Sequence, residues 1–413
     1  MKQTTILLCA VFTILTANLP AREIPQVAPA KAGLSETKLA AVDQFMERQV
    51  ADQKIAGGIV MISHGGKIGF FHTYGQMDRE ANQPMQPDTI FRIYSMSKAI
   101  TTAAALTLYD AGKIGLDDPV SKYIPSFANL KVATTNGLHA PSRPMTVKDL
   151  MLHTSGITYG AGPDALKETW GRLKPMESAN LAEMAEKLSQ VPLAFNPGTD
   201  WVYGAGIDVL GRVIEVVSGE GLNVFLDKMI FKPLDMTDTA FSVPLEKLAR
   251  FAANYTRTNG TLKVIDAPAE SKYAKPVTFF SGGGGMVGTA RDYMRFLVMI
   301  EQGGKLDGKR ILKTKTVKLM TSDQLPKAAF PIYFGKEKRP GTGFGLGFSV
   351  RTEITTWDTS GHAGEYGWGG AASTHYWASP KDKLIVVTLE QIMPYQWDTE
   401  FGTKKIIYDA IQK

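Results

Sequence analysis

The stretch Phe91-Arg92-Ile93-Tyr94-Ser95-Met96-Ser97-Lys98, running on into Ala99 to Leu108, decides how this chain is read. From Ala99 onward the residues are small and apolar (Ala99, Ile100, Ala103, Ala104, Ala105, Leu106), the composition of a helix that packs inside a protein. Ser95 and Lys98 stand three apart at its start and so share one helix face. A partly buried amine beside a hydroxyl can accept its proton, because burial disfavours the ammonium form. The same four-residue pattern recurs at Ser35-Glu36-Thr37-Lys38, ahead of a charged helix with Leu39, Val42, Phe45 and Met46 at helical spacing. Ser35 reads there as a helix N-cap. Ser-x-x-Lys alone therefore carries little. On composition, Ser95 and Lys98 are either a nucleophile with its base or the cap and snorkelling lysine of a core helix.

Working outward, Gly57 to Ile62 and Ile68 to Tyr74 are apolar segments joined by His64-Gly65-Gly66-Lys67, a hairpin signal. Residues 91–274 read as mostly helical, with Leu181 to Leu188 and Ile207 to Val217 the clearest helices. The last third changes style. The glycine run Gly282 to Gly285 precedes a helix over Arg291 to Ile300. Short apolar segments follow at Gly345–Val350, Ala372–Ala378 and Leu384–Leu389, and a final amphipathic helix covers about 401–411. Strands at both ends with helices between predict α/β plus α: one antiparallel sheet built from the two termini, flanked by helices, with a mostly helical insertion. The expected division is a leader over 1–21, then one unit over 22–413, with an α/β part at about 32–90 and 275–413 and a helical part at about 91–274.

Composition narrows the function. Of 413 residues, 44% are apolar and 21% charged, ordinary for a chain with a real core. The single cysteine, Cys9, excludes a disulfide framework, and six scattered histidines without a His-Glu-x-x-His pattern argue against zinc. The net charge of +6 is spread along the chain, which argues against nucleic-acid binding. Lys2, the apolar run Ile6 to Leu15 and Pro20-Ala21 follow a signal-peptide plan, with an uncleaved anchor as the alternative. Cleavage would leave a periplasmic or secreted protein with no stable membrane insertion. No Gly-x-Ser-x-Gly elbow is present.

Phe91 to Lys98, followed by Asp110-Ala-Gly-Lys-Ile-Gly-Leu-Asp-Asp-Pro-Val120, resembles the serine β-lactamase and penicillin-binding protein superfamily. Met145 to Gly156, Pro197-Gly198 ahead of Tyr203, Asp208 to Gly211, Gly282 to Met286 and Gly345-Leu-Gly347 agree in order. The likeness is to the class C-like branch and, within it, to the family VIII carboxylesterases. It implies the β-lactamase-like (DD-peptidase) fold, a serine nucleophile at Ser95 and a base shared by Lys98 and Tyr203. A phenolate needs a neighbouring cation, and Lys98 supplies one. It also implies an oxyanion hole from the backbone N–H groups of Ser95 and Ala371, with Trp368, Gly369 and Gly370 against the substrate. No metal or organic cofactor is implied.

Two departures bear on specificity. The Tyr-x-Asn motif is here Tyr203-Gly204-Ala205, and the Lys-Thr-Gly place holds Trp368-Gly369-Gly370, or else His362-Ala363-Gly364. Trp368 fits the esterase branch better. Loss of both polar partners weakens recognition of β-lactams and D-Ala-D-Ala peptides. The sequence therefore favours short-chain carboxylic esters as small-molecule substrates, with weak β-lactam hydrolysis beside them. The alternatives are a β-lactamase or DD-peptidase, acyl transfer to another acceptor, and a binding protein without activity. His153 reads as a structural residue holding a loop by hydrogen bonds, Asp117-Asp118 as a helix-start or loop pair, not a metal site, and Trp201 as pocket lining or packing. Residues 157–195 and 325–342 are expected to form much of the cleft rim.

Overall fold

The computed structural model describes residues 22–412; the leader reading of residues 1–21 lies outside them. One eight-stranded antiparallel sheet organises the chain. Its strands are β1 (Gly57–His64), β2 (Lys67–Asp78), β3 (Gln83–Pro84), β4 (Thr342–Phe344), β5 (Ser349–Arg351), β6 (Tyr366–Gly370), β7 (Thr374–Ser379) and β8 (Leu384–Glu390). The spatial order is β4-β5-β6-β7-β8-β1-β2-β3, so the last strand in sequence pairs with the first. Gly58 stands opposite Glu390 and His64 opposite Leu384. The sheet is thus built from both ends of the chain, as the patterning predicts.

The continuous apolar runs of β1 and β8 follow from burial on both faces. Ile59 and Met61 enter the main core, while Val60 and Ile62 enter a second core under α1 (Glu36–Ala51). In β8, Ile385, Val387 and Leu389 face the main core, and Leu384 and Val386 the second. The main core contains α2 (Ser97–Asp110), α3 (Gly206–Ser218) and α4 (Ala290–Glu301). The final helix, α5 (Asp398–Ala410), lies against α1. No helix among the described residues is long and apolar enough to cross a membrane.

Three expectations need correction. Ser35 occupies the N-cap position of α1, but its hydroxyl pairs with Thr37 Oγ1 at 3.0 Å and makes no capping bond. Gly345–Val350 is not one strand: β4 ends at Phe344 and β5 begins at Ser349, with a turn between them closed by Gly345 N–H to Phe348 O at 2.9 Å. Gly347 takes φ +86° there, a region where a side chain is strained. The stretch 91–274 also carries two hairpins, Val132–Thr134 with Gly137–His139 and Asn254–Thr258 with Thr261–Asp266. Their polar, threonine-rich sequences hide the alternation that marks a strand.

Candidate active site

The approach to Ser95 is held by a buried arginine. Arg92 bonds the carboxylate of Asp266 at 2.6 Å and the carbonyl of Ala252 at 2.6 Å, and its backbone pairs with Val287. Tyr94 then takes φ +41°, unusual for a bulky residue, and opens a single 3-10 turn over Tyr94–Met96 that feeds α2. Tyr293 OH donates to Met96 O at 2.9 Å, and Met286 N–H to Ser97 Oγ at 3.2 Å. Every residue of α2 from Ser97 to Leu108 is buried, so the serine stands at the head of a rod fixed on all sides.

Lys98 is 2% exposed. Its Nζ donates to Ser95 Oγ at 3.3 Å, to Tyr159 OH at 3.3 Å and to Gly283 O at 2.5 Å. It also lies 4.6 Å from the centre of the Tyr203 ring. Tyr203 OH is 2.5 Å from Ser95 Oγ, and Trp368 Nε1 donates to Tyr203 OH at 3.4 Å. Tyr203 sits in the loop that enters α3. Gly204 lets that loop pass the Ile157 carbonyl, since a Cβ there would lie 2.0 Å from the oxygen.

Three further residues complete the surroundings. Asp208, in the first turn of α3, accepts from Ser281 Oγ at 2.5 Å and from Gly283 N–H at 3.0 Å. Gly283 thus joins Asp208, through its N–H, to Lys98, through its carbonyl. Burial raises the Asp208 carboxyl, opposed by the charge of Lys98 and these hydrogen bonds. His153 packs its ring 4.9 Å from Tyr203, and burial, then Lys98, holds its imidazole well below the ordinary range, so it stays neutral. Its expected role corrects in detail: it fixes the loop through its backbone carbonyl, bonded by Val202 N–H at 3.0 Å, and its ring packs among aromatics. Tyr159 and Asp208 carried no role in the sequence reading. Asp208 lay inside a quoted stretch, and its acid in an apolar run was the available signal.

The Trp368-Gly369-Gly370 choice places all three residues at the end of β6, beside Ser95. His362 bonds Asp382 at 2.7 Å instead. A Cβ on Gly370 would sit 2.4 Å from Ile93 O, and one on Gly369 2.7 Å from the Tyr395 ring. Glycine here lets β6 lie edge-on to the turn that carries Ser95. Ser95, Tyr203, Trp368 and Ala371 all line one cavity of about 490 Å³. Trp201 lines it as well and is buried. Its near wall is aromatic: Phe334 lies 5.1 Å from Tyr203 and 6.1 Å from Trp368.

A sheet closed from both chain ends around a buried helix headed by Ser-x-x-Lys is the fold of the serine β-lactamase and penicillin-binding protein superfamily, and the chain is a hydrolase of that class. It belongs to the beta-lactamase family, whose model matches residues 42–407. It is similar to Protein Rv1367c of Mycobacterium tuberculosis, 32% identical over 85% of this chain and 90% of the relative. It is also similar to esterase EstB of Burkholderia gladioli, 31% identical over 84% of this chain and 89% of that protein. Among solved structures it resembles EstCE1, a hydrolase with promiscuous acyltransferase activity, with a TM-score of 0.79, 27% identity and coverage of 90% of this chain and 99% of that one.

Proposed function

We propose that this protein is a serine esterase that cleaves carboxylic esters through an acyl-Ser95 intermediate. The carrying observation is the convergence of Tyr203 OH and Lys98 Nζ on Ser95 Oγ, at 2.5 and 3.3 Å, at the aromatic end of a cavity. Ser95 Oγ attacks the ester carbonyl and its proton passes to the Tyr203–Lys98 pair. Backbone N–H groups of Ser95 and Ala371 receive the tetrahedral oxyanion. Collapse breaks the C–O bond to the alcohol, which leaves with the proton from Tyr203. Water then gives a proton to the same base, adds to the acyl carbon and releases the acid with Ser95 restored.

Esters are favoured over β-lactams because Ala205 and Trp368 stand where an amide and an ammonium would grip an amide-carboxylate substrate. Tyr159 takes up one hydrogen bond of Lys98. The relative EstB is itself named an esterase, which supports the reading. The test compares 4-nitrophenyl butyrate with a chromogenic cephalosporin, using Ser95→Ala as control. Fast ester cleavage, slow cephalosporin cleavage and loss of both in the variant are expected. Ester cleavage that survives Ser95→Ala removes Ser95 as nucleophile, and efficient cephalosporin turnover replaces the esterase reading with the lactamase one.

A further inference from the structure

The cavity that begins at Ser95 changes character along its length. One ring contact, 5.1 Å, leads from Tyr203 to Phe334, and a second, 5.5 Å, leads from Phe334 to the guanidinium of Arg339. That guanidinium also lies 4.5 Å from the centre of the Trp357 ring and 4.3 Å from that of Trp397. Arg339 lines the cavity and is only 9% exposed. Among the described residues, one of its guanidinium nitrogens is engaged: Nη2 donates to Glu337 Oε2 at 2.9 Å, while Nε is buried without a partner.

We infer that Arg339 is the recognition point for a carboxylate carried by the ester substrate at a distance from the scissile bond. The inference rests on the esterase reading and names its substrate class: half-esters and other acidic esters, with an apolar span between ester and acid. Aromatic rings over a guanidinium leave its edge for in-plane hydrogen bonds, and a planar carboxylate matches that edge. An arginine stays charged in a protein, so a buried and half-used guanidinium carries a desolvation cost that an entering anion offsets. Burial accordingly pushes the Arg339 guanidinium down from its ordinary range, against the opposing pull of Glu337 and Glu400.

The neighbouring charges leave room for that anion. Glu337 is on the exposed hairpin Tyr333–Phe334/Glu337–Lys338, is 47% exposed in its side chain, and also accepts from Trp357 Nε1 at 3.2 Å. It occupies one nitrogen of the fork as an exposed, displaceable carboxylate. Glu400 is turned to other partners: it accepts from Tyr395 OH at 2.9 Å and lies 3.1 Å from His375 Nε2, and burial pushes its carboxyl up to about 7. Farther along, Arg351 and Lys404 are balanced by Asp358 and Glu365.

The test uses matched esters that differ only in a carboxylate. One pair is 4-nitrophenyl hydrogen adipate and 4-nitrophenyl methyl adipate, with the acid on the acyl side. The other is 4-carboxyphenyl butyrate and 4-methoxycarbonylphenyl butyrate, with the acid on the alcohol side. The readout is the ratio of kcat/KM values, acidic over neutral. Arg339→Gln is expected to lower that ratio in at least one pair by about tenfold or more. A ratio unchanged in both pairs overturns the inference, including the case where both members fall together because Arg339 only braces the hairpin. If Arg339→Gln does not fold, Glu337→Gln decides: freeing the fork raises the ratio, and a flat or lower ratio overturns the inference. A wild-type protein inert to all of these esters sinks the esterase reading and this inference with it, whereas cleavage without dependence on Arg339 sinks the inference alone.

Discussion

The molecule carries Ser-x-x-Lys twice, and the two copies have opposite fates. At the start of α1, Lys38 reaches across to the carbonyl of Asp409 at 2.7 Å and Ser35 pairs with Thr37, both at exposed positions. At the start of α2, Lys98 is buried, turned onto Ser95, and held from behind by the Gly283 carbonyl. The helical geometry that sets i and i+3 on one face is common to both. What differs is everything not local: a tyrosine from the α3 entrance, a glycine edge from β6, a peptide anchored by Asp208. A motif of this kind becomes a site only where a helix start is buried and other parts of the chain converge on it.

The comparison can be broken first at the serines. Ser95→Ala is expected to lower kcat for 4-nitrophenyl butyrate by about 10⁴-fold or more; a residual rate near wild type would erase the distinction between the copies. Tyr203→Phe removes the hydroxyl 2.5 Å from Ser95 Oγ and should cost about 10²–10⁴-fold in kcat while the melting temperature holds. Gly370→Ala brings a methyl to 2.4 Å from Ile93 O, displacing the turn that carries Ser95, and a loss of roughly 10²-fold in kcat/KM is expected. An unaltered rate there would show that the β6 edge is not part of what separates the two copies.

The smaller effects concern stability. His153, buried against Tyr203, stays neutral when folded, whereas an unfolded histidine takes up a proton near pH 6.5. The unfolded chain then binds more protons, so stability falls as pH drops through that value. His153→Asn, which tolerates the residue's φ of +59°, should reduce the stability difference between pH 8 and pH 5.5 by about 1 kcal/mol, read by denaturant melts. An identical pH slope in the variant would mean that His375, the other strongly shifted histidine, carries the effect alone. Ser35→Ala is the smallest case. With no capping bond to lose, it should leave both rate and stability within about 0.5 kcal/mol of wild type.

Much of this was legible in the chain because it is periodic or compositional. The runs of β1 and β8, the alanine-rich α2 and the glycine edge at Gly369-Gly370 each state their burial in residue type. Ser95, Lys98 and Tyr203 could be singled out because the resemblance tied together segments that composition left ambiguous. Asp208 and Tyr159 escaped because their roles depend on a peptide and an amine brought in from elsewhere. Arg339 escaped for a related reason. In the run Lys336-Glu337-Lys338-Arg339 it looks like one more surface cation. Its burial comes from Trp357 and Trp397, which are remote in sequence, and local charge patterning says nothing of them.

The pairing of Gly58 with Glu390 also governs when the enzyme can come into being. Every residue proposed for the reaction precedes Leu384, yet β8 joins the two halves of the sheet. A chain emerging during synthesis holds an unpaired hairpin with an open β1 edge until its last segment arrives. Contacts this distant along the chain make folding slow and late. A nascent or truncated chain ending before β8 would contain serine, lysine and tyrosine and still have no site, so activity here is the last property the molecule acquires.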